Sequence, residues 1–283
     1  LGGSLQTVYF IVVLFNIFLI KNTLKLYTQY IVIGLFTYYC ILYFSLDMIY
    51  TRQSIAVAIC FYSIKFIREK KLLKYMFIIF MASLFHRMSL IMIPMYFFID
   101  KKMSTKSLFI LMILGCLLML FYVQWMKTII LSVSNFLGEE FQYKATFYTS
   151  EQKYSVSRII SIGFFMNMGL FLILMLFRKK ISKFEYGNIF INFFLISLFI
   201  YYYCYEFLEI SNRFRLLFLI STIVLFPYIV ETYTKLTNKV FALFLICTYS
   251  FMFNFKIFLN FPESCAYHPY QNYIIYKILD KKS

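Results

Sequence analysis

The chain has 283 residues, of which 62% are hydrophobic, 23% aromatic and only 14% charged. A soluble domain of this length carries about 25% charged residues, so this composition excludes a soluble globular protein. The net charge is +16, from 28 Lys plus Arg against 12 Asp plus Glu. In a soluble protein that excess would suggest nucleic acid. Here the basic residues lie in short loops between apolar runs, the pattern that orients spans in an anionic membrane.

A helix rises about 1.5 Å per residue, so roughly 20 residues cross the hydrocarbon layer. Apolar segments run near 5–20, 29–46, 49–67, 72–85, 88–99, 104–123, 158–177, 186–204, 214–230 and 240–261. The expected fold is therefore all-α: one polytopic helical membrane domain over 1–283 with about ten hydrophobic helices. Basic loops occur at 21–25, 68–74, 100–106, 178–183 and 235–239. Placing these on the cytoplasmic side gives a consistent alternation. The connections at 46–51, 86–87, 124–157 and 205–213 then face outward, with 124–157 a long extracytoplasmic loop of the kind that serves as a lid.

The stretch from Leu72 to Ile99 is apolar except for His86 and Arg87 at its middle. As one helix it would be roughly 42 Å long, too long for a ~30 Å core without strong tilt. A hairpin of two short helices puts both flanking basic loops on one side. It also lifts His86 and Arg87 to the opposite turn, sparing most of the roughly 2.5–3.5 kcal/mol that an Arg at mid-span costs.

Several Arg then lie at outward ends of helices, against the positive-inside rule: Arg52, Arg87, Arg158 and Arg213, with Arg215 two residues further on. Snorkelling to lipid phosphate, or pairing with Glu206, Glu209 or Asp47, would account for any one of them. Several at one level beside a His point to an anion site, and Arg suits bidentate phosphate recognition. Gln53 and Asn212 add neutral hydrogen-bonding groups beside Arg52 and Arg213. His86 is a candidate to orient or deprotonate a hydroxyl. The Tyr-rich 200–207 reads as an interfacial belt or a glycan face. No CxxC pair, DxD cluster, Walker loop or GxGxxG occurs, so no metal, nucleotide or other cofactor is expected.

These residues resemble a known family. DMIYTRQSIAVAI, a basic loop and KYMFIIFMASLFHRMSLIMIPMYFF are similar to the central signature of the EpsG family, through Arg52, Gln53, Ala56, Ala82, Phe85 and His86. NRFRLLFLISTIVLFPYIV resembles its Asn-Arg span at Asn212, Arg213 and Pro227, and HPYQNYI its closing motif at Pro269 and Tyr270. The family's further hydrophobic start and early loop with Asp and Tyr are missing, and the chain opens LGGSLQ, so an N-terminally truncated member is expected.

The resemblance implies a Wzy-like polymerase of capsule, exopolysaccharide or O-antigen in the bacterial cytoplasmic membrane. Its substrate would be an oligosaccharide repeat unit on undecaprenyl diphosphate, whose lipid diphosphate already activates the donor without nucleotide or metal. A chain-length regulator and a flippase are the partners it implies, besides membrane lipids; nucleic acid is not one. In that reading Arg52 and His86 are catalytic. Arg52, Gln53, Arg87, Arg158, Asn212, Arg213 and Arg215 bind the diphosphate or glycan. A flippase or transporter for lipid-linked glycans also wants outward Arg, but should show polar residues deep in several spans, and often repeated halves. A membrane acyltransferase that modifies polysaccharide would need a catalytic His on the cytoplasmic donor side, whereas His86 reads as outward.

Overall fold

The computed structural model describes residues 5–137, 139–150 and 161–259. All regular structure among them is helical. Helix α1 spans Leu5–Leu24. Helix α2 spans Ile31–Tyr38 and widens without interruption into a π-helix, Tyr39–Ile49. Then come α3 (Thr51–Arg68), α4 (Leu72–Phe85), a 3₁₀ turn (Arg87–Ile91), α5 (Met92–Phe98) and α6 (Thr105–Leu120). They are followed by α7 (Trp125–Leu137), α8 (Glu139–Ser150), α9 (Ile162–Ile181), α10 (Gly187–Tyr203), α11 (Leu208–Leu219), α12 (Thr222–Glu231) and α13 (Leu236–Leu259).

Among the described residues, four helical stretches are long and apolar enough to cross a membrane: 7–24, 31–49, 162–181 and 236–255. The count rises to six if the bent pairs α6–α7 and α11–α12 each form one span. That differs from the ten segments expected, because α4, the 87–98 segment and α10 are shorter apolar helices. Short helices need neighbours to close the polar backbone at their ends, so they sit against the longer ones instead of spanning alone.

The hairpin at 72–99 forms. Helix α4 stops at Phe85, and His86 is extended, with φ −153° and ψ 117°. The chain then turns back, so that the Tyr75 and Tyr96 rings lie 5.2 Å apart and the Tyr75 hydroxyl donates to the Met92 carbonyl at 2.6 Å. At its open end Arg68 pairs with Asp100 at 3.4 Å.

Within the region read from sequence as a long loop, Trp125–Leu137 and Glu139–Ser150 are helical. The chain leaves α6 through Tyr122 in the left-handed region (φ 56°) and turns by 86° into α7. Glu206 accepts from the Met126 and Lys127 N–H groups, which closes the uncapped start of α7. The Trp125 indole donates to the Tyr203 carbonyl at 3.0 Å.

Helix α11 breaks from α12 by 42° at Ile220–Ser221. The Ser221 and Thr222 hydroxyls bond back to the Phe218 and Leu219 carbonyls, each at 2.8 Å. Side chains of this type supply the donors that a kinked helix loses. Pro227, inside α12, deprives the Ile223 carbonyl of its helical donor. Gly34 of α2 lies against that same oxygen, where a Cβ would stand only 2.7 Å away.

The core lies between α3, α10 and the α11–α12 pair, with Phe61, Phe190, Phe193, Phe218 and Tyr228 all buried. Lipid offers these side chains an equally apolar alternative, so close packing and interhelical hydrogen bonds hold the bundle together. The tightest turn is at Gly187. A Cβ there would lie 1.9 Å from the Ile181 carbonyl oxygen. Gly187→Ala should destabilise the fold by about 3 kcal/mol or more, read as a lower unfolding temperature in detergent.

The basic segments meet at one end of the bundle. Arg178 bonds to Thr105 at 2.9 Å and to the Met103 carbonyl, and Asn192 reaches the Lys101 carbonyl at 2.8 Å. The Tyr228 hydroxyl donates to the Tyr27 carbonyl at 2.8 Å, and Lys239 donates to the Tyr30 hydroxyl at 3.1 Å. The opposite end gathers the π-helix terminus, the start of α3, the hairpin tip, the start of α7 and the 203–213 segment.

Candidate functional site

Two helix starts create the candidate site at that opposite end. Helix α3 begins after Tyr50 with no side-chain cap and no acidic residue in its first turn. Its first N–H groups and its dipole therefore present positive charge, the arrangement that attracts anions. Arg52 adds a full positive charge there. It is exposed and holds no hydrogen bond or ion pair among the described residues.

The second start is that of α11, which supplies Glu209 and, one turn later, Arg213. Arg213 donates to Glu209 Oε1 from Nε at 3.0 Å and from Nη2 at 2.8 Å. The Tyr50 hydroxyl donates to the same oxygen at 3.0 Å, and the Arg213 guanidinium lies 4.9 Å from the Tyr50 ring centre. Burial, then the Glu209 charge, push the Tyr50 phenol up to about 12. It therefore remains a donor at any physiological pH. Gln53 ties α3 to α11 by donating to the Arg213 carbonyl at 2.6 Å.

Gln53 is buried, yet its Oε1 has no hydrogen-bond partner among the described residues, and neither does His86 Nδ1. Buried polar atoms are normally hydrogen-bonded, so two orphan groups at one end of the bundle mark a place where a polar ligand would complete the contacts. Burial, then the Arg213 charge, push the His86 imidazole below its usual range, so the hairpin tip lies within electrostatic reach of Arg213. Arg87 follows His86 at the tip, exposed and without a hydrogen bond or ion pair among the described residues. Asn212 is half-buried beside Arg213.

Not every residue expected at this site stands in it. Arg215 lies two positions after Arg213, about 200° around the helix, and faces the interior. It is 9% exposed, donates to Asn167 Oδ1 at 2.9 Å and lies over the Tyr201 ring at 4.9 Å. Arg158 lies outside the described residues, as do Pro269 and Tyr270. The Tyr-rich segment is a set of ties more than an open face. Tyr202, Tyr203 and Tyr205 donate to the carbonyls of Phe164, Leu111 and Val123.

Among the described residues, Glu209 is the one of the three candidate acids that pairs with one of these Arg. Asp47, 1% exposed, instead accepts from the Tyr38 hydroxyl at 2.5 Å and the Asn16 amide at 2.8 Å. The Asn16 amide also reaches Ser54 Oγ, so α1, the α2–π-helix span and α3 share one polar knot. Sequence reading missed Tyr50 and the Asn16–Tyr38–Asp47 knot. The i, i+4 spacing of Glu209 and Arg213 was a legible signal; nothing local linked Asn16 to Asp47, 31 positions away.

A helical bundle with apolar spans is that of a multi-pass membrane protein, and this one carries a basic cluster at one end. The chain belongs to the EpsG family, whose model matches residues 1–274. This is a family of Wzy-like, exopolysaccharide-polymerase-type membrane proteins, which places the chain in polysaccharide biosynthesis. No curated protein and no solved structure matches it significantly.

Proposed function

We propose that the protein is a Wzy-like polymerase of the bacterial cytoplasmic membrane, joining undecaprenyl-diphosphate-linked oligosaccharide units at its outer face. The observation that carries this reading is the convergence of Arg213, Gln53, Tyr50 and His86 beside the uncapped, Arg52-bearing start of α3. The donor sugar is already activated by its lipid diphosphate, so the protein's task is to bind, orient and stabilise charge. Arg52 and Arg213 hold the leaving diphosphate and neutralise the charge that develops on it. His86, with a free ring nitrogen, orients the acceptor hydroxyl or takes its proton. Assigning the basic loops to the cytoplasmic side by the positive-inside rule leaves this site facing outward.

Arg52→Ala and His86→Ala should each leave normal amounts of protein in the membrane but abolish long polymer. The lipid-linked single unit should then accumulate on the outer leaflet. Normal chain lengths in both variants would overturn the site. Accumulation on the inner leaflet would favour a flippase instead, a reading to which the buried Asn16, Asp47, Asn167 and Arg215 lend polar groups inside the spans.

A further inference from the structure

Glu209 sits inside the cation cluster, though no role in the reaction has been given to it. Among the described residues, its bonds fall on one oxygen. The Tyr50 hydroxyl and Arg213 Nε and Nη2 converge on Oε1, and none of these bonds uses Oε2. The side chain is 33% exposed and its Arg213 partner 38%, so both can be reached by a ligand. The carboxylate thus occupies the edge of the guanidinium with which Arg would grip a phosphate.

We infer that Glu209 is displaced from Arg213 by the donor's diphosphate and then serves as the general base for the acceptor hydroxyl. The inference rests on the polymerase reading. A carboxylate that holds a guanidinium is a poor proton acceptor, whereas one released beside a dianion is a better one. Donor binding therefore creates the base, and does so one helical turn from Arg213, where Glu209 remains anchored. In the transfer step the acceptor oxygen forms a bond to the donor's anomeric carbon. The bond from that carbon to the diphosphate oxygen breaks, and its electron pair leaves with the lipid diphosphate. The hydroxyl proton goes to Glu209 and from there to water. Arg213, freed of Glu209, faces the leaving charge, while His86 orients the acceptor. The step needs no oxidant or further reactant. It also requires the donor to bind before the acceptor is deprotonated.

The test uses the full chain in lipid nanodiscs with a synthetic lipid-diphosphate oligosaccharide. Glu209→Gln keeps the volume and one acceptor oxygen. Its expected result is donor affinity equal to or tighter than wild type, with turnover lowered by about 100-fold or more. Glu209→Asp, which keeps the carboxylate, should recover part of that turnover. Turnover within about threefold of wild type in Glu209→Gln would overturn the inference, as would weaker donor affinity with unchanged turnover. Equal losses in the Gln and Asp variants would assign Glu209 to holding Arg213 only, and would also overturn it. A wild-type protein that forms no polymer would instead bring down the polymerase reading, and the role of Glu209 with it.

Discussion

Arg213→Ala is expected to reduce polymer formation by at least about 100-fold, the loss typical when one donor to a developing charge is removed. Arg213 is the point where the site's elements meet. It pairs with Glu209 on its own helix, stacks on Tyr50 from the end of the π-helix, and has its carbonyl held by Gln53 of α3. Gln53 bonds the backbone of residue 213, so the α3–α11 contact survives truncation of the side chain. The partly exposed ion pair contributes little to stability, at most about 1 kcal/mol. The variant should therefore accumulate in the membrane and bind donor poorly. Arg213→Lys should rescue little, because an ammonium cannot reproduce the two-pronged contact or the stacking. Polymer length on gels, with membrane protein levels measured in parallel, separates these effects. Full-length polymer from Arg213→Ala would remove this residue from the site.

Asp47→Ala is expected to be the most damaging polar substitution for stability, costing about 2–4 kcal/mol. A single interhelical hydrogen bond in a membrane protein averages only about 0.6 kcal/mol, which would make the effect small. Here one deletion strands the buried Tyr38 hydroxyl and one N–H of the Asn16 amide, whose other N–H still reaches Ser54, at about 1–3 kcal/mol for each donor left without an acceptor. Asp47→Asn keeps an acceptor oxygen and should lose less than half as much. Thermal unfolding in detergent would distinguish the two. Equal, small losses would mean that the knot joining α1, the π-helix and α3 contributes little.

The helices were largely legible in the sequence because hydrophobicity and basic loops mark where spans begin and end. Helix α4 ends at Phe85 where the apolar run ends, and the two basic residues after it mark the hairpin tip. Inner and outer faces were not legible. Inside and outside a membrane bundle are both apolar, so Phe190, fully buried, and Phe241, 62% exposed, look alike in the sequence. The end of α6 was read near its true place, the segment 104–123 stopping beside the left-handed Tyr122, but the helices α7 and α8 beyond it were read as loop. At the site, helix-end position grouped Arg52, His86 and Arg213, and the structure has all three at one end of the bundle. It failed for Arg215, because proximity in sequence does not fix the face of a helix on which a side chain emerges. The Asp47 knot depends on tertiary contact between three helices, which no local pattern encodes.

The most direct measurement is a reaction of the purified protein in nanodiscs with a lipid-diphosphate oligosaccharide as the sole substrate, in the presence of EDTA. The expected result is a ladder of products, each one repeat unit longer than the last, with one lipid diphosphate released per new glycosidic bond. An unchanged substrate, or elongation only after a nucleotide sugar is supplied, would contradict it.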